Sequence, residues 1–144
     1  MTDSAAGAVF ERERLIEERH IDALGHVNNI VWVRFVVELA SAHAAHVGWD
    51  EAALRDAGAW WVVHRQELIY HRPAFAGERI LERTRIAEMR GARCERESFF
   101  HRSGEVLVEA RTTWVWTDAS AGRPRRVPAE VALAFGVSSR RSRK

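Results

Sequence analysis

Residues 9–19 mix apolar and charged positions over strand-like length, with Phe10, Arg12 and Arg14 on one face, which predicts a first strand. Gly25 interrupts that pattern, and Asn28 or Asn29 is placed to cap a helix. Residues 30–47 are apolar on nearly every face and rich in alanine, as expected of a helix buried on most sides. Gly48 closes it, and residues 49–56 predict a short second helix capped by Asp50 and stopped at Gly58. The character then changes. Residues 59–70 carry the β-prone Trp60, Trp61, Val62, Val63, Leu68, Ile69 and Tyr70. Residues 78–90 alternate, with Ile80, Glu82, Thr84, Ile86 and Glu88 on one face. Turns at Gly91 and at Ser103-Gly104 join them to strands at 93–102 and 105–117. Pro128 opens a last short helix over 129–135. One strand, one long helix and four further strands predict an α+β fold: a five-stranded antiparallel sheet wrapped around one long central helix.

Composition narrows this picture. The chain has 144 residues, enough for one domain, and 47% of them are hydrophobic, including six tryptophans. The expected organisation is a single domain over 1–144, with a loose leader at 1–8 and a basic tail at 138–144. The single cysteine, Cys94, forbids an internal disulfide and suits a reducing compartment. No Cys/His cluster has zinc spacing, so no metal is expected. The first residues lack a basic stretch followed by a long apolar one, so no signal peptide is expected, and no apolar run reaches membrane-spanning length. A cytoplasmic protein is the expectation. The formal charge is only +2 and gathers near the basic tail, so neither nucleic acid nor membrane is an expected partner.

The chemistry concentrates in residues 21–29, Ile-Asp-Ala-Leu-Gly-His-Val-Asn-Asn. Asp22 precedes a glycine turn that feeds the start of the long helix, where backbone N–H groups are unpaired and the helix dipole is positive. Such a place can polarise a carbonyl and attack it.

Asp22, Gly25, His26, Val27, Asn28 and Asn29, followed by a helix carrying Arg34 and Glu38, resemble the hotdog-fold acyl-CoA thioesterases of the 4-hydroxybenzoyl-CoA thioesterase type. Residues 70–78, Tyr-His-Arg-Pro-Ala-Phe-Ala-Gly-Glu, resemble that family's strand-turn-strand, which usually ends Gly-Asp. Thr117-Asp118 and residues 122–128 resemble its last strand and following loop. The resemblance covers roughly residues 9–135 and implies the hotdog fold. It further implies hydrolysis of an acyl-CoA to a free acid and coenzyme A. Asp22 would act as nucleophile or as general base for water, and the Asn29 backbone N–H would donate to the thioester oxygen. It implies no metal or redox cofactor, and a homodimer or homotetramer with sites between subunits. Trp32 stands where the family carries tyrosine, so it is expected to alter the acyl pocket, which Trp60 and Trp61 would narrow or cap.

Other residues carry competing readings. His26 could orient substrate or shuttle a proton, or simply bond to backbone. Asn28, with Gly25, could hold the active-site loop or cap the helix. Arg34 and Glu38 are spaced as a helical pair, and a structural role is expected for Glu38. His64 and His71 could line a partner's site. Arg72, Arg90, Arg93, Arg123 and Arg125 are candidates for coenzyme A phosphates, Arg72 first among them. Cys94 has no surrounding motif and no expected catalytic role. Two alternatives remain beside the acyl-CoA reading: a thioesterase acting on acyl carrier protein, and a non-catalytic acyl-binding hotdog domain.

Overall fold

The computed structural model describes residues 6–140. Most of the expected leader and the end of the basic tail therefore lie outside the described residues. Chain order is β1 (Phe10–Leu15), a 3₁₀ turn (Glu18–His20), α1 (Asn29–His46), α2 (Glu51–Ala57), β2 (Ala59–Tyr70), β3 (Arg79–Arg90), β4 (Arg93–Arg102), β5 (Glu105–Asp118), α3 (Ala129–Ala134) and β6 (Ser139–Arg140). The five long strands run antiparallel in the order β1-β3-β4-β5-β2, and β6 adds two residues parallel to β3. This is the expected α+β hotdog architecture, with one 18-residue helix against the sheet.

The inward face of α1 carries Trp32, Phe35, Val36 and Leu39, which pack on Ile80, Phe100, Leu107 and Val108 of the sheet. A second cluster, around Ile86, Met89, Cys94, Trp116 and Phe135, fills the end of the fold near α3. Period-two alternation is realised in β3, where Ile80, Glu82, Thr84 and Ile86 are all buried. Arg12 and Arg14, which share one face of β1 with Phe10 as expected, reach across to the fully buried Glu82. Arg14 also lies 3.9 Å above the Phe35 ring.

Several expectations are corrected. The first strand stops at Leu15, because the Glu17 N–H bonds to Nδ1 of the buried His20 and turns the chain. The long helix is not buried all round: one sheet covers one side, and Ile30 remains 73% exposed with Val33 and Arg34 beside it. Arg34 and Glu38 do not pair; Glu38 instead meets Arg14 of β1 at 2.8 Å, the structural role expected of it. Within the expected leader, Gly7 is tied to the sheet. The Gly7 N–H donates to the Ile86 carbonyl at 2.7 Å, and a Cβ there would lie 2.4 Å from the Phe135 carbonyl oxygen. Of the predicted tail, residues 139–140 are the strand β6.

Among the described residues the edge strand β2 has no neighbour beyond it, and Trp60, Val62, Val63, Ile69 and Tyr70 on it are exposed. A bulge between Val63 and Arg65 sets His64 out of register.

Candidate active site

Asp22 sits in a narrow loop closed by its own backbone. Ile21 and Val27 form an isolated antiparallel bridge, and the Asp22 N–H donates to the His26 carbonyl at 3.0 Å. The Gly25 N–H returns to the Asp22 carbonyl at 3.0 Å, with Gly25 at φ +89°, a conformation that residues with a Cβ rarely adopt. The carboxylate accepts from the Leu24 N–H at 2.9 Å and is half-buried. The loop is tied at both sides: Asn28 N–H donates to the His20 carbonyl, and Val27 N–H to the Ala74 carbonyl in the β2–β3 connection.

These ties deliver the chain into α1 with a defined cap. The Asn28 side chain accepts from the Ile30 N–H at 2.8 Å, and its carbonyl accepts from Val31 and Trp32. Asn29, the first helical residue, has no intrahelical acceptor for its N–H, and none meets it among the described residues. The Tyr70 hydroxyl donates to the Asn29 carbonyl at 3.0 Å, fixing the first turn against the end of β2. Burial holds the Tyr70 phenol above its usual range, so it stays a neutral donor. The loop carries one half-buried carboxylate, and the 18-residue helix that it feeds begins with one uncommitted N–H at its positive end.

The other candidate residues are dispersed. His26 is half-buried with Nδ1 3.3 Å from the Val27 carbonyl oxygen, the backbone role. Trp32 is 2% exposed and packs edge-on to Phe35 and Phe100 in the core. Trp60 and Trp61 do line a cavity of about 410 Å³, between the C-terminal half of α1, α2 and the sheet. Asp22, His26 and Asn29 are not in its lining. Arg72 pairs with Glu105 at 3.0 Å on the surface, and His71 pairs with Glu109 at 2.8 Å. Arg125 holds the Ala57 carbonyl and Asp118. Cys94 is buried, which pushes its thiol up to about 12 and leaves no nucleophilic thiolate. Among the described residues no group of His, Cys, Asp or Glu could hold a metal ion.

One cluster escaped the sequence reading. Arg96 Nη1 lies 2.9 Å from His43 Nδ1 and 3.0 Å from Thr84 Oγ1, all three side chains being buried. Burial, reinforced by Arg96, lowers the His43 pKa to about 3. The signal was present in β4: Cys94, Arg96, Ser98 and Phe100 alternate onto one face, and that face is the buried one.

The chain matches the family model of the thioesterase-like superfamily over residues 17–135. It is 26% identical over 132 residues to an acyl-acyl carrier protein thioesterase, ATL2, of Arabidopsis thaliana chloroplasts, covering 90% of this chain and 70% of the relative. Its fold superposes with a TM-score of 0.90 at 15% identity on a Lactobacillus plantarum protein whose assignment as an oleoyl thioesterase is itself provisional. That match covers 99% of this chain but only 56% of the other, so this chain spans little more than half of that protein. A 1,4-dihydroxy-2-naphthoyl-CoA thioesterase from Synechocystis superposes with a TM-score of 0.74 at 18% identity, covering 89% of this chain and 96% of that one. At these identities the structural likenesses speak for the fold alone. The family match, which takes in the Asp22 loop, the long helix and the sheet, makes this chain a member of the thioesterase-like superfamily.

Proposed function

We propose that the protein hydrolyses an acyl thioester, most naturally an acyl-CoA, to a carboxylic acid and a thiol. The observation that carries this reading is the Asn29 N–H, left without an acceptor while Asn28 caps the next N–H of the same turn. A thioester oxygen placed there would gain a preorganised donor as its negative charge develops. Such a donor is worth about 10²–10³ in rate. Asp22 supplies the second element. As general base its carboxylate takes a proton from water, whose oxygen attacks the thioester carbon; the C–S bond then breaks, and the departing thiolate takes that proton back from Asp22 to leave as the thiol. As nucleophile the same carboxylate displaces the thiolate to form a mixed anhydride, which water hydrolyses to the free acid and the restored carboxylate, its proton going to the thiolate.

Family membership and the names of the relatives support thioester chemistry, and the Arabidopsis relative favours acyl carrier protein as an alternative carrier of the acyl group. No single helix among the described residues is long and apolar enough to cross a membrane. With the lone reduced cysteine this supports a cytoplasmic enzyme. The unpaired β2 edge, with its exposed apolar side chains, supports a dimer as the minimum assembly. We take the whole chain as one hotdog domain.

Thiol release from short, medium, long and aromatic acyl-CoAs, and from acyl carrier protein thioesters, tests the reading with wild type and Asp22→Asn side by side. Turnover by wild type and its loss in a folded Asp22→Asn variant is the expected result. Near-normal turnover by the variant would remove Asp22 from the mechanism, and no turnover of any thioester would remove the function.

A further inference from the structure

The cavity beside α1 holds a buried charge that pairs with no carboxylate: Asp50 and Glu51 also line it, but Asp50 accepts from the Ala53 N–H and Glu51 pairs with Arg55. Its volume is about 410 Å³, and Trp49, Trp60, Trp61 and Trp114 give it an apolar, aromatic lining. Arg96 also forms part of the wall and is only 4% exposed. Its two hydrogen-bonding neighbours, His43 and Thr84, are neutral groups, and its Nε has no partner. The carboxylates next to it in sequence serve elsewhere. Glu95 and Glu97 point to the opposite face of β4, where Glu95 accepts from Thr113 and Glu97 takes Arg85. No carboxylate among the described residues pairs with Arg96. Beyond those two neutral acceptors, partial relief comes from the Phe135 ring, whose centroid is 5.7 Å from the guanidinium carbon. A buried guanidinium without a counter-charge is costly, and a cavity beside it can admit one.

We propose that this cavity binds an apolar molecule bearing a carboxylate, with Arg96 as the anchor of the carboxylate and the tryptophan walls around the apolar body. A planar guanidinium suits a carboxylate better than any neutral acceptor. Two sources carry this chemistry. One is a free fatty or aryl acid. The other is the distal carboxylate of a dicarboxylic acyl thioester, a choice that rests on the thioesterase reading above.

The test uses dodecanoate and dodecanol, below the micellar range, titrated into the full-length protein by calorimetry and by tryptophan fluorescence. Wild type is expected to bind the acid at least tenfold more tightly than the alcohol. Arg96→Met is expected to erase that preference while still binding both. Equal binding by wild type, a preference kept in Arg96→Met, or no binding at all overturns the proposal. Should Arg96→Met fail to fold, Ser41→Trp fills the cavity from an exposed position of α1 with Arg96 in place. Retained dodecanoate binding in that variant also overturns it. Turnover of dodecanoyl-CoA and of the CoA monothioester of dodecanedioic acid then separates the sources. A wild-type preference for the dicarboxylic thioester, lost in Arg96→Met, assigns the site to substrate. Equal turnover with acid binding intact assigns it to a free acid. Hydrolysis of neither thioester removes these two as substrates and leaves the binding result standing.

Discussion

The Tyr70 hydroxyl donates to the Asn29 carbonyl at 3.0 Å, joining the last residue of the edge strand to the first residue of the long helix. The two are 41 residues apart in sequence. Their contact anchors the first turn of α1 against the end of β2.

Tyr70→Phe removes only that hydroxyl. Its expected cost in stability is about 1 kcal/mol, the usual worth of one hydrogen bond. If residue 29 is the oxyanion donor, kcat falls about three- to tenfold with KM nearly unchanged. Steady-state kinetics with thiol detection check this, and an unchanged kcat would separate Tyr70 from donor alignment.

Asn28→Ala removes the side-chain acceptor for the Ile30 N–H. The loss of such a cap costs about 1 kcal/mol, and Asn28→Asp should restore most of it. Urea unfolding of the three proteins gives the comparison.

Glu82→Gln leaves Arg12 and Arg14 facing a neutral amide at a site where Glu82 itself is fully buried. Breaking a buried pair from one side typically costs 3–5 kcal/mol, and because both arginines keep some contact with solvent the expected loss is about 3 kcal/mol. Denaturant midpoints measure it; a loss below about 1 kcal/mol would mean that solvent already screens the cluster.

His43 links stability to pH. Its folded pKa is lowered to about 3 by burial first and by Arg96 second, whereas the unfolded imidazole titrates near 6.5. The unfolded chain therefore binds a proton that the folded chain refuses. The stabilising contribution is complete above about pH 6.5 and is lost as pH falls from there towards about 3, at up to roughly 1.4 kcal/mol per pH unit. His20 and His101, also lowered chiefly by burial, act in the same direction. Unfolding free energies at pH 7 and pH 5 should differ in this sense, and His43→Gln should flatten the dependence.

The sequence by itself determined the element order and most element boundaries. Residues 59–70 and 93–102 emerge as β2 and β4 with the boundaries that β-prone composition set for the first and flanking turns set for the second, because both signals are local properties of the chain. Asp50 and Gly58 bracket α2 as read, since capping and left-handed closure depend on only a few neighbouring residues. The Asp22 loop was equally legible: its turn and cap close within residues 20–30.

Tertiary structure decided the rest. The core contact of Trp32 on α1 depends on Phe100, a residue of the distant strand β4. Which acid Arg14 meets was invisible in the chain: it found Glu82 on β3 and Glu38 on α1. The exposed face of α1 followed from there being one sheet to cover it, not from the helix's own composition. Arg96 shows the difference most clearly. Its inward position is written in the alternation of β4, but its lack of a counter-charge depends on every side chain that reaches the same cavity. Local patterns fix where a side chain points; only the assembled fold fixes what it meets.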